Sequence, residues 1–193
     1  MPFQMDPFNG DHFIEKKFLE LRDKYGIKVA IETGTCLGST TIFLAKNFEL
    51  VKTVEINPQY YAIANGIFKQ KGVCVDNILG NSVDAILYWK ELWPALYWLD
   101  AHWGNECPLL LELAAIRSVF IAFPVIAIHD FQVPNEPGLG FDSINGQPFT
   151  LEWIKPYLDK IYEDCENGYS TEYNTFEESA GAKRGIIYIT PNL

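Results

Sequence analysis

A carboxylate and two glycines stand close together in residues 28–41, which read KVAIETGTCLGSTT. An apolar run ends on Glu32, and Gly34 and Gly38 follow before a segment with helical character begins. Glycines let a ligand approach the backbone, whereas a carboxylate beside them repels a pyrophosphate and attracts an ammonium group. This stretch therefore predicts a binding site for a ligand that carries positive charge.

The pattern ExGxxxG differs from the phosphate-binding glycine motifs. It lacks the third glycine of GxGxxG and the GK[ST] ending of a P-loop. A second apolar run ends on Glu55, at the position where a carboxylate accepts hydrogen bonds from two ribose hydroxyls. Together these residues indicate a ligand with a ribose, no phosphate and a cationic amino-acid end, and S-adenosylmethionine meets this description.

Polar residues also follow three further apolar runs. The third run ends at Gly80-Asn81-Ser82, the fourth at Asp100 and His102, and the fifth at His129-Asp130. Any one of these could be a helix cap or a solvated turn residue, but the carboxyl ends of parallel strands meet at one edge of a sheet, where ligands bind. We therefore predict that Asp100, His102, His129 and Asp130 lie together at this edge.

The elements that would position these residues alternate between strand-like and helix-like segments. This alternation predicts an α/β fold with right-handed crossovers and a mostly parallel sheet. The predicted strands are residues 28–32, 50–56, a stretch within 73–82, 95–102 and 124–131, followed by strand-like pieces at 169–176 and 185–190. The predicted helices are residues 13–25, 39–47, 58–69, 83–92, 107–120 and 149–163.

The length of 193 residues predicts one domain with a substantial core. Within residues 1–193 we expect an N-terminal helix (1–27), a cofactor-binding half (28–131), an irregular acceptor-side loop (132–148), and a C-terminal helix with two strands (149–193). Loops of this length in a compact domain are usually functional or mobile.

Composition and charge limit the kinds of partner that we expect the protein to bind. The net charge is −10, which disfavours nucleic acid, and no apolar run reaches the roughly 18 residues that span a bilayer. The first residues have neither the basic region nor the apolar core of a signal peptide. The four cysteines are scattered, as expected for free thiols in a reducing compartment, so we expect a cytoplasmic protein without a membrane partner.

In these motifs the chain resembles the class I S-adenosylmethionine-dependent methyltransferases. IETGTCLGSTT resembles their first motif, VEINP their ribose-binding acidic motif, and LGNS the segment beside the adenine, so the resemblance covers residues 29–130 and, with the two last strands, most of the chain. It implies a Rossmann-like three-layer sandwich with a seven-stranded, mostly parallel sheet and an antiparallel last strand. It implies a cofactor site made of Glu32, Gly34, Thr35, Gly38, Ser39, Glu55, Asn81, Ser82 and Asp100.

LDAHWG and IHDF further resemble a subgroup that includes cephalosporin-hydroxylase-like proteins and sugar or small-molecule O-methyltransferases. Several of its members hold a divalent metal at these strand ends, which implies Mg²⁺ or another ion on Asp100 and Asp130, with His129 or His102 as an optional further ligand. The macrolide-sugar enzymes have two adjacent acids where this chain has His129-Asp130, which leaves fewer oxygen ligands for Mg²⁺. Trp103, just past the fourth strand, is a candidate lid.

The subgroup implies methyl transfer to a sugar or other small-molecule hydroxyl, with Asp100, His102, His129 and Asp130 as the catalytic residues. For this reaction either a metal lowers the pKa of the hydroxyl, or His102 or His129 is the general base. Two alternatives stay open: a protein of this fold without transferase activity, either a binding module or a hydroxylase-named homologue, and an NAD-dependent oxidoreductase, which the missing third glycine disfavours. A homodimer is also left open.

Overall fold

A seven-stranded sheet runs through the centre of the computed structural model, which describes residues 6–90, 94–102 and 106–192. The strand order is β3-β2-β1-β4-β5-β9-β8. These strands are β1 (Val29–Thr33), β2 (Leu50–Glu55), β3 (Asp76–Leu79), β4 (Ala95–Leu99), β5 (Val125–Ile128), β8 (Tyr169–Tyr173) and β9 (Ile187–Pro191). β1 to β5 pair in parallel, and β9 is antiparallel to both of its neighbours, as the predicted antiparallel last strand requires.

The described residues contain six α-helices, of which the first precedes β1 and the other five connect strands. These helices are α1 (His12–Tyr25), α2 (Ser39–Asn47), α3 (Pro58–Lys71), α4 (Ser82–Tyr88), α5 (Leu109–Val119) and α6 (Leu151–Ile161). Their ends follow the local chemistry: the Asn57 side chain accepts hydrogen bonds from the first turn of α3, and Gly26 ends α1 in the left-handed conformation. The predicted helix at residues 83–92 ends at Tyr88, and residues 91–93 lie outside the described part of the chain.

The helices cover both faces of the sheet and make the predicted three-layer α/β sandwich. In β4, Leu96 and Trp98 pack toward α1 and α2, whereas Tyr97 and Leu99 pack toward α4, α5 and α6. Alternate side chains of a strand point to opposite faces, so a strand covered on both sides is apolar throughout. Every residue of β4 is buried accordingly.

Two features differ from the predicted elements. The segment 132–148, predicted to be irregular, contains a short hairpin of β6 (Ser143–Ile144) and β7 (Gln147–Pro148). A 3₁₀ turn at Pro7–Gly10, absent from the predicted elements, buries Phe8 against Phe18 and Trp98. Within the described ranges, every helix is too short or too polar to cross a bilayer.

Gly34 gives a test of how closely the glycine loop packs on β4. Its φ is +85°, and an added Cβ would lie 2.6 Å from the carbonyl oxygen of Asp100. Gly72 has a φ of +66° with no atom within 4 Å of such a Cβ, so it is the matched control. We expect Gly72→Ala to cost about 1–2 kcal/mol through its φ alone. Gly34→Ala should cost about 1–3 kcal/mol more because of overpacking.

Urea unfolding of both variants and the wild type measures these differences. Equal losses of unfolding free energy in Gly34→Ala and Gly72→Ala would show that the loop does not pack against Asp100.

Candidate functional site

Three carboxylates converge on the glycine loop at the carboxyl edge of the sheet. Glu32 lies near the end of β1, Glu55 ends β2, and Asp100 follows β4. β1 pairs with both β2 and β4, so the ends of the three strands are neighbours. The sequence-based expectation of an acidic edge beside Gly34 and Gly38 is therefore realised in the fold.

Glu32 is buried, and its Oε2 accepts hydrogen bonds from the hydroxyls of Thr41 and Thr53. Burial raises the pKa of Glu32 to about 8, against the lowering effect of these two hydroxyls. The nearby Asp100 and Glu55 add to the increase. At neutral pH the ligand-free form of Glu32 is therefore mostly protonated.

Glu55 joins the glycine loop to the start of α3. Its Oε2 accepts a hydrogen bond from the backbone N–H of Cys36 at 2.7 Å, and its Oε1 accepts one from Asn57 at 2.8 Å. Cys36 has a φ of +49°, a conformation that turns its N–H toward the carboxylate. Each carboxylate oxygen can accept a further hydrogen bond, which is the capacity that a ribose diol requires.

Gly34 and Gly38 both have positive φ, and protein atoms lie where their Cβ atoms would be: the Asp100 carbonyl at Gly34 and the Phe68 ring at Gly38. These glycines are needed for the packing of the loop itself, a second reason beside the approach of a ligand. Thr35 is buried and its Oγ1 lies 2.7 Å from that of Thr53, which links the loop to the Glu32 carboxyl.

The remaining cofactor candidates lie at helix starts. Asn81 accepts a hydrogen bond from the N–H of Val83 and so caps α4, Ser82 is the buried first residue of α4, and Ser39 begins α2. The contacts of all these residues with a cofactor stay predictions.

The four residues predicted to be catalytic lie together and form what we name the histidine–aspartate cluster: Asp100, His102, His129 and Asp130. Nε2 of His102 is 2.8 Å from Oδ2 of Asp130, and Nδ1 of His129 is 3.0 Å from Oδ1 of Asp100 and 3.2 Å from Oδ2 of Asp130. The sequence identified these residues because each follows a strand; their catalytic roles stay predictions.

Charges inside the cluster fix its protonation. Burial alone would lower the pKa of His129, but the charge of Asp100 and hydrogen bonds with Asp100 and Asp130 raise it to about 10. Burial opposes ionisation of Asp130, yet hydrogen bonds from His102, His129 and Arg184 hold its pKa well below the usual range. The cluster therefore contains a His129 imidazolium and an Asp130 carboxylate at neutral pH.

Two further residues complete the cluster. Arg184 donates from Nε to Oδ1 of Asp130 and from Nη2 to Oδ1 of Asp142, and Oδ2 of Asp142 lies 3.7 Å from Nε2 of His102. From the sequence, Asp142 was expected only within the acceptor-side loop and Arg184 was not expected at the site, because no local pattern joins a residue just before β9 to one just after β5.

The cluster also contains the predicted metal ligands. Ligand atoms of Asp100, His129 and Asp130 lie within 4.8 Å of one another, and so do those of His102, Asp130 and Asp142. Protein groups already bind both oxygens of Asp130: Arg184 donates to Oδ1, and a ring nitrogen of each histidine lies within hydrogen-bond distance of Oδ2. A divalent ion needs lone pairs that point at it, so this arrangement fits Mg²⁺ poorly, and the metal stays a prediction.

Glu112, in the first turn of α5, is a site residue that the sequence analysis missed. It is 1% exposed, and its Oε1 has no hydrogen-bond partner among the described residues. Burial raises its pKa to about 7, against the lowering effects of the Ser82 and Thr33 hydroxyls and of His102. An acidic residue within the apolar run LLLELAA was the available signal.

Trp103, the predicted lid, lies outside the described residues. Trp89 and Trp98, in contrast, are buried core residues.

The chain was compared with family models, curated proteins and solved structures, and only the solved structures match. No family model and no curated protein matches the sequence. The chain is similar to the O-methyltransferase from Bacillus cereus in complex with SAH, with 16% identity over 93% of this chain and 80% of that one, and a TM-score of 0.64. It is also similar to TomG from Streptomyces achromogenes in complex with SAM, with 14% identity, the same coverages and a TM-score of 0.62.

An rRNA methylase from Streptococcus thermophilus is similar as well, with 14% identity over 95% of this chain and 97% of that one, and a TM-score of 0.64. At such identities the likeness establishes the fold. The chain has the α/β fold of class I S-adenosylmethionine-dependent methyltransferases, as its motifs suggested.

Substitution of Glu112 tests its protonation. The pKa of Glu112 is about 7 in the folded chain and near 4.5 in the unfolded chain, so stability falls as pH rises between these values. Above pH 7 the unfolding free energy is lower by about 3 kcal/mol than it is below pH 4.5, because of Glu112 alone. Glu112→Gln should therefore be more stable than the wild type at pH 8 and differ little at pH 5.

The measurement is urea unfolding at both pH values, with the exposed Glu166→Gln as the control. A Glu112→Gln variant whose stability relative to the wild type is the same at pH 5 and pH 8 would contradict a proton on Glu112.

Proposed function

We propose that this protein is a methyltransferase that uses S-adenosylmethionine to methylate a hydroxyl group of a small molecule. The observation that carries the proposal is the convergence of Glu32, Glu55 and Asp100 on a loop with two positive-φ glycines, at the carboxyl edge of a methyltransferase-type sheet. Acidic residues suit a guest that bears a sulfonium, an ammonium and a bare ribose, and they repel a diphosphate.

The residues present fit this cofactor. Glu55 would accept the two ribose hydroxyls with the second lone pairs of its oxygens, whose other hydrogen bonds hold Cys36 and Asn57. Glu32 would bind the amino group once it loses its proton. Asn81 and Ser82, at the start of α4, would lie beside the adenine.

His102 is our candidate for the general base. Asp130 accepts the N–H of His102 Nε2 and leaves Nδ1 with the lone pair, in the arrangement that orients a catalytic imidazole. The bound cofactor supplies an electrophilic methyl group on a positive sulfur. Nδ1 of His102 would take the proton of the acceptor hydroxyl, and Asp130 would stabilise the imidazolium that forms.

His129 has a different role in this proposal. Its pKa of about 10 keeps it protonated at neutral pH, so it cannot accept a proton from the acceptor. It holds Asp100 and Asp130 in place as a fixed cation. Of the two histidines predicted to be bases, we therefore assign the base to His102 alone.

We propose that the acceptor is a small molecule. The resemblance to sugar O-methyltransferases favours a sugar hydroxyl in particular. The acceptor side is formed by residues 132–148, with Asp142 and the Phe149 ring near His102. The rRNA methylase among similar structures makes RNA the competing acceptor. The net charge of −10 opposes binding of a polyanion, and this favours the small molecule.

Calorimetric titration with S-adenosylhomocysteine (SAH), with NAD as the control ligand, tests the cofactor. Saturable binding of SAH and none of NAD supports the proposal, whereas the reverse result indicates an oxidoreductase. SAH binding without methyl transfer to any sugar, catechol or RNA tested would indicate a binding protein of this fold.

The affinity for SAH should depend on pH through Glu32. Below pH 8 the carboxyl must release a proton before it binds an ammonium group, so affinity should rise about tenfold per pH unit from pH 6 to 8. Glu32→Gln should bind more weakly and lose this slope, while the exposed Glu166→Gln keeps it. A slope that survives in Glu32→Gln would exclude Glu32 from binding the amino group.

Turnover should depend on His102. Loss of a general base typically costs about 10²- to 10⁴-fold in kcat, so we expect a loss in this range for His102→Ala. SAH affinity should change little, because His102 contacts the acceptor. The exposed His12, on the first turn of α1, supplies the control His12→Ala. Full turnover of His102→Ala would remove the proposed base.

A further inference from the structure

Arg184 binds two carboxylates of the site at once. Its Nε donates to Oδ1 of Asp130, and its Nη2 donates to Oδ1 of Asp142. A guanidinium is planar, so it bridges two carboxylates in a fixed geometry. Arg184 therefore holds the chain before β9 against both the end of β5 and the acceptor-side loop.

The backbone around Arg184 is built to accept its side chain. A Cβ at Gly140 would lie 2.8 Å from Nη1 of Arg184, so a side chain at this position would shift the guanidinium. The N–H of Gly140 donates to the carbonyl of Lys183, and the N–H of Gly185 donates to the carbonyl of Gly140. The amide of Asn174 donates to the carbonyl of Arg184 at 2.8 Å.

These contacts use the oxygens that a metal would need. Oδ1 of Asp130 accepts from Arg184, and its Oδ2 accepts from both His102 and His129. In Asp142, Oδ1 also accepts from Arg184. A divalent ion at either candidate position would share the Asp130 carboxylate with the Arg184 guanidinium, whose positive charge would repel it.

We propose that Arg184, together with His129, takes the place of a divalent metal at this site, so that the site works without a metal ion. The guanidinium of Arg184 bridges Asp130 and Asp142, and Nδ1 of His129 lies within hydrogen-bond distance of both Asp100 and Asp130. Arg184 is a positioning residue: it fixes Asp130, and Asp130 orients His102. The catalytic part of this inference rests on the proposed methyl transfer, whereas the cation-binding part is independent of it.

Titration with Mn²⁺, followed by calorimetry and by the electron paramagnetic resonance of free Mn²⁺, tests the inference without turnover. The wild type should not bind Mn²⁺ at Asp130, so the wild type and Asp130→Asn should give the same Mn²⁺ titration. Arg184→Met removes the guanidinium but keeps much of its length, so it should gain a Mn²⁺ site that the double variant with Asp130→Asn loses. Lys183→Met is the matched control, because Nζ of Lys183 lies over the Phe176 ring and donates to the Phe176 carbonyl.

Turnover separates the two proposals. Arg184→Met should reduce kcat about 10- to 100-fold, as is typical for loss of a supporting contact, and Mn²⁺ should restore part of it. Wild-type turnover should be unchanged by a chelator. Absence of turnover in the wild type would contradict the proposed function and leave the Mn²⁺ result intact.

Two outcomes would overturn the inference. One is Mn²⁺ binding by the wild type that Asp130→Asn abolishes, a measurement that needs no Arg184 variant. The other is an Arg184→Met variant, shown to be folded by circular dichroism and cooperative urea unfolding, that still binds no Mn²⁺.

Discussion

The ionised carboxylate of Asp130 is the contact on which the carboxyl edge of this sheet depends. It is nearly buried, at a residue with a φ of +56°, and it binds Arg184, His102 and His129. Removing one partner of a buried ion pair typically costs about 3–5 kcal/mol, because the remaining charge is uncompensated. The contacts of Asp130 with Arg184, His102 and His129 hold together the ends of β4 and β5 and the chain that enters β9. The same contacts therefore stabilise the edge and position His102.

Burial gives the acidic residues of this edge different protonation states. Asp130 is ionised because cations surround it, whereas burial raises the pKa of Glu32 to about 8 and that of Glu112 to about 7. The ligand-free crevice is therefore less negative than a count of its carboxyl groups suggests. A cationic guest would draw the proton from Glu32 and create the charge that binds it, which limits the repulsion that an empty acidic site would otherwise suffer.

The sequence was sufficient for most of the sheet and insufficient for the contacts between distant segments. Apolar runs ended by polar residues predicted β1, β2, β4 and β5 within a few residues, because strands covered on both faces are apolar throughout. The same ends identified Glu32, Glu55 and the histidine–aspartate cluster. Arg184 was missed because it joins the site through pairing between elements far apart in the chain, whereas Glu112 was missed although it is an acidic residue within the apolar run LLLELAA. The assignment of the base to His102 also needed the structure, since only its contacts distinguish it from His129.

The acceptor-side loop is held at both ends, which bears on how the site selects its substrate. Next to β5, the N–H of Phe131 donates to the carbonyl of Gly185, and the N–H of Gln132 donates to the carbonyl of Phe149. Farther along, Asp142 donates its N–H to the carbonyl of Asp130 while its side chain binds Arg184. A wall fixed by such contacts loses little conformational entropy when a ligand binds. Under the proposed function, selectivity for the acceptor would then depend on the fixed backbone and side chains near His102, and changes in residues 132–148 would alter which hydroxyl reaches the base.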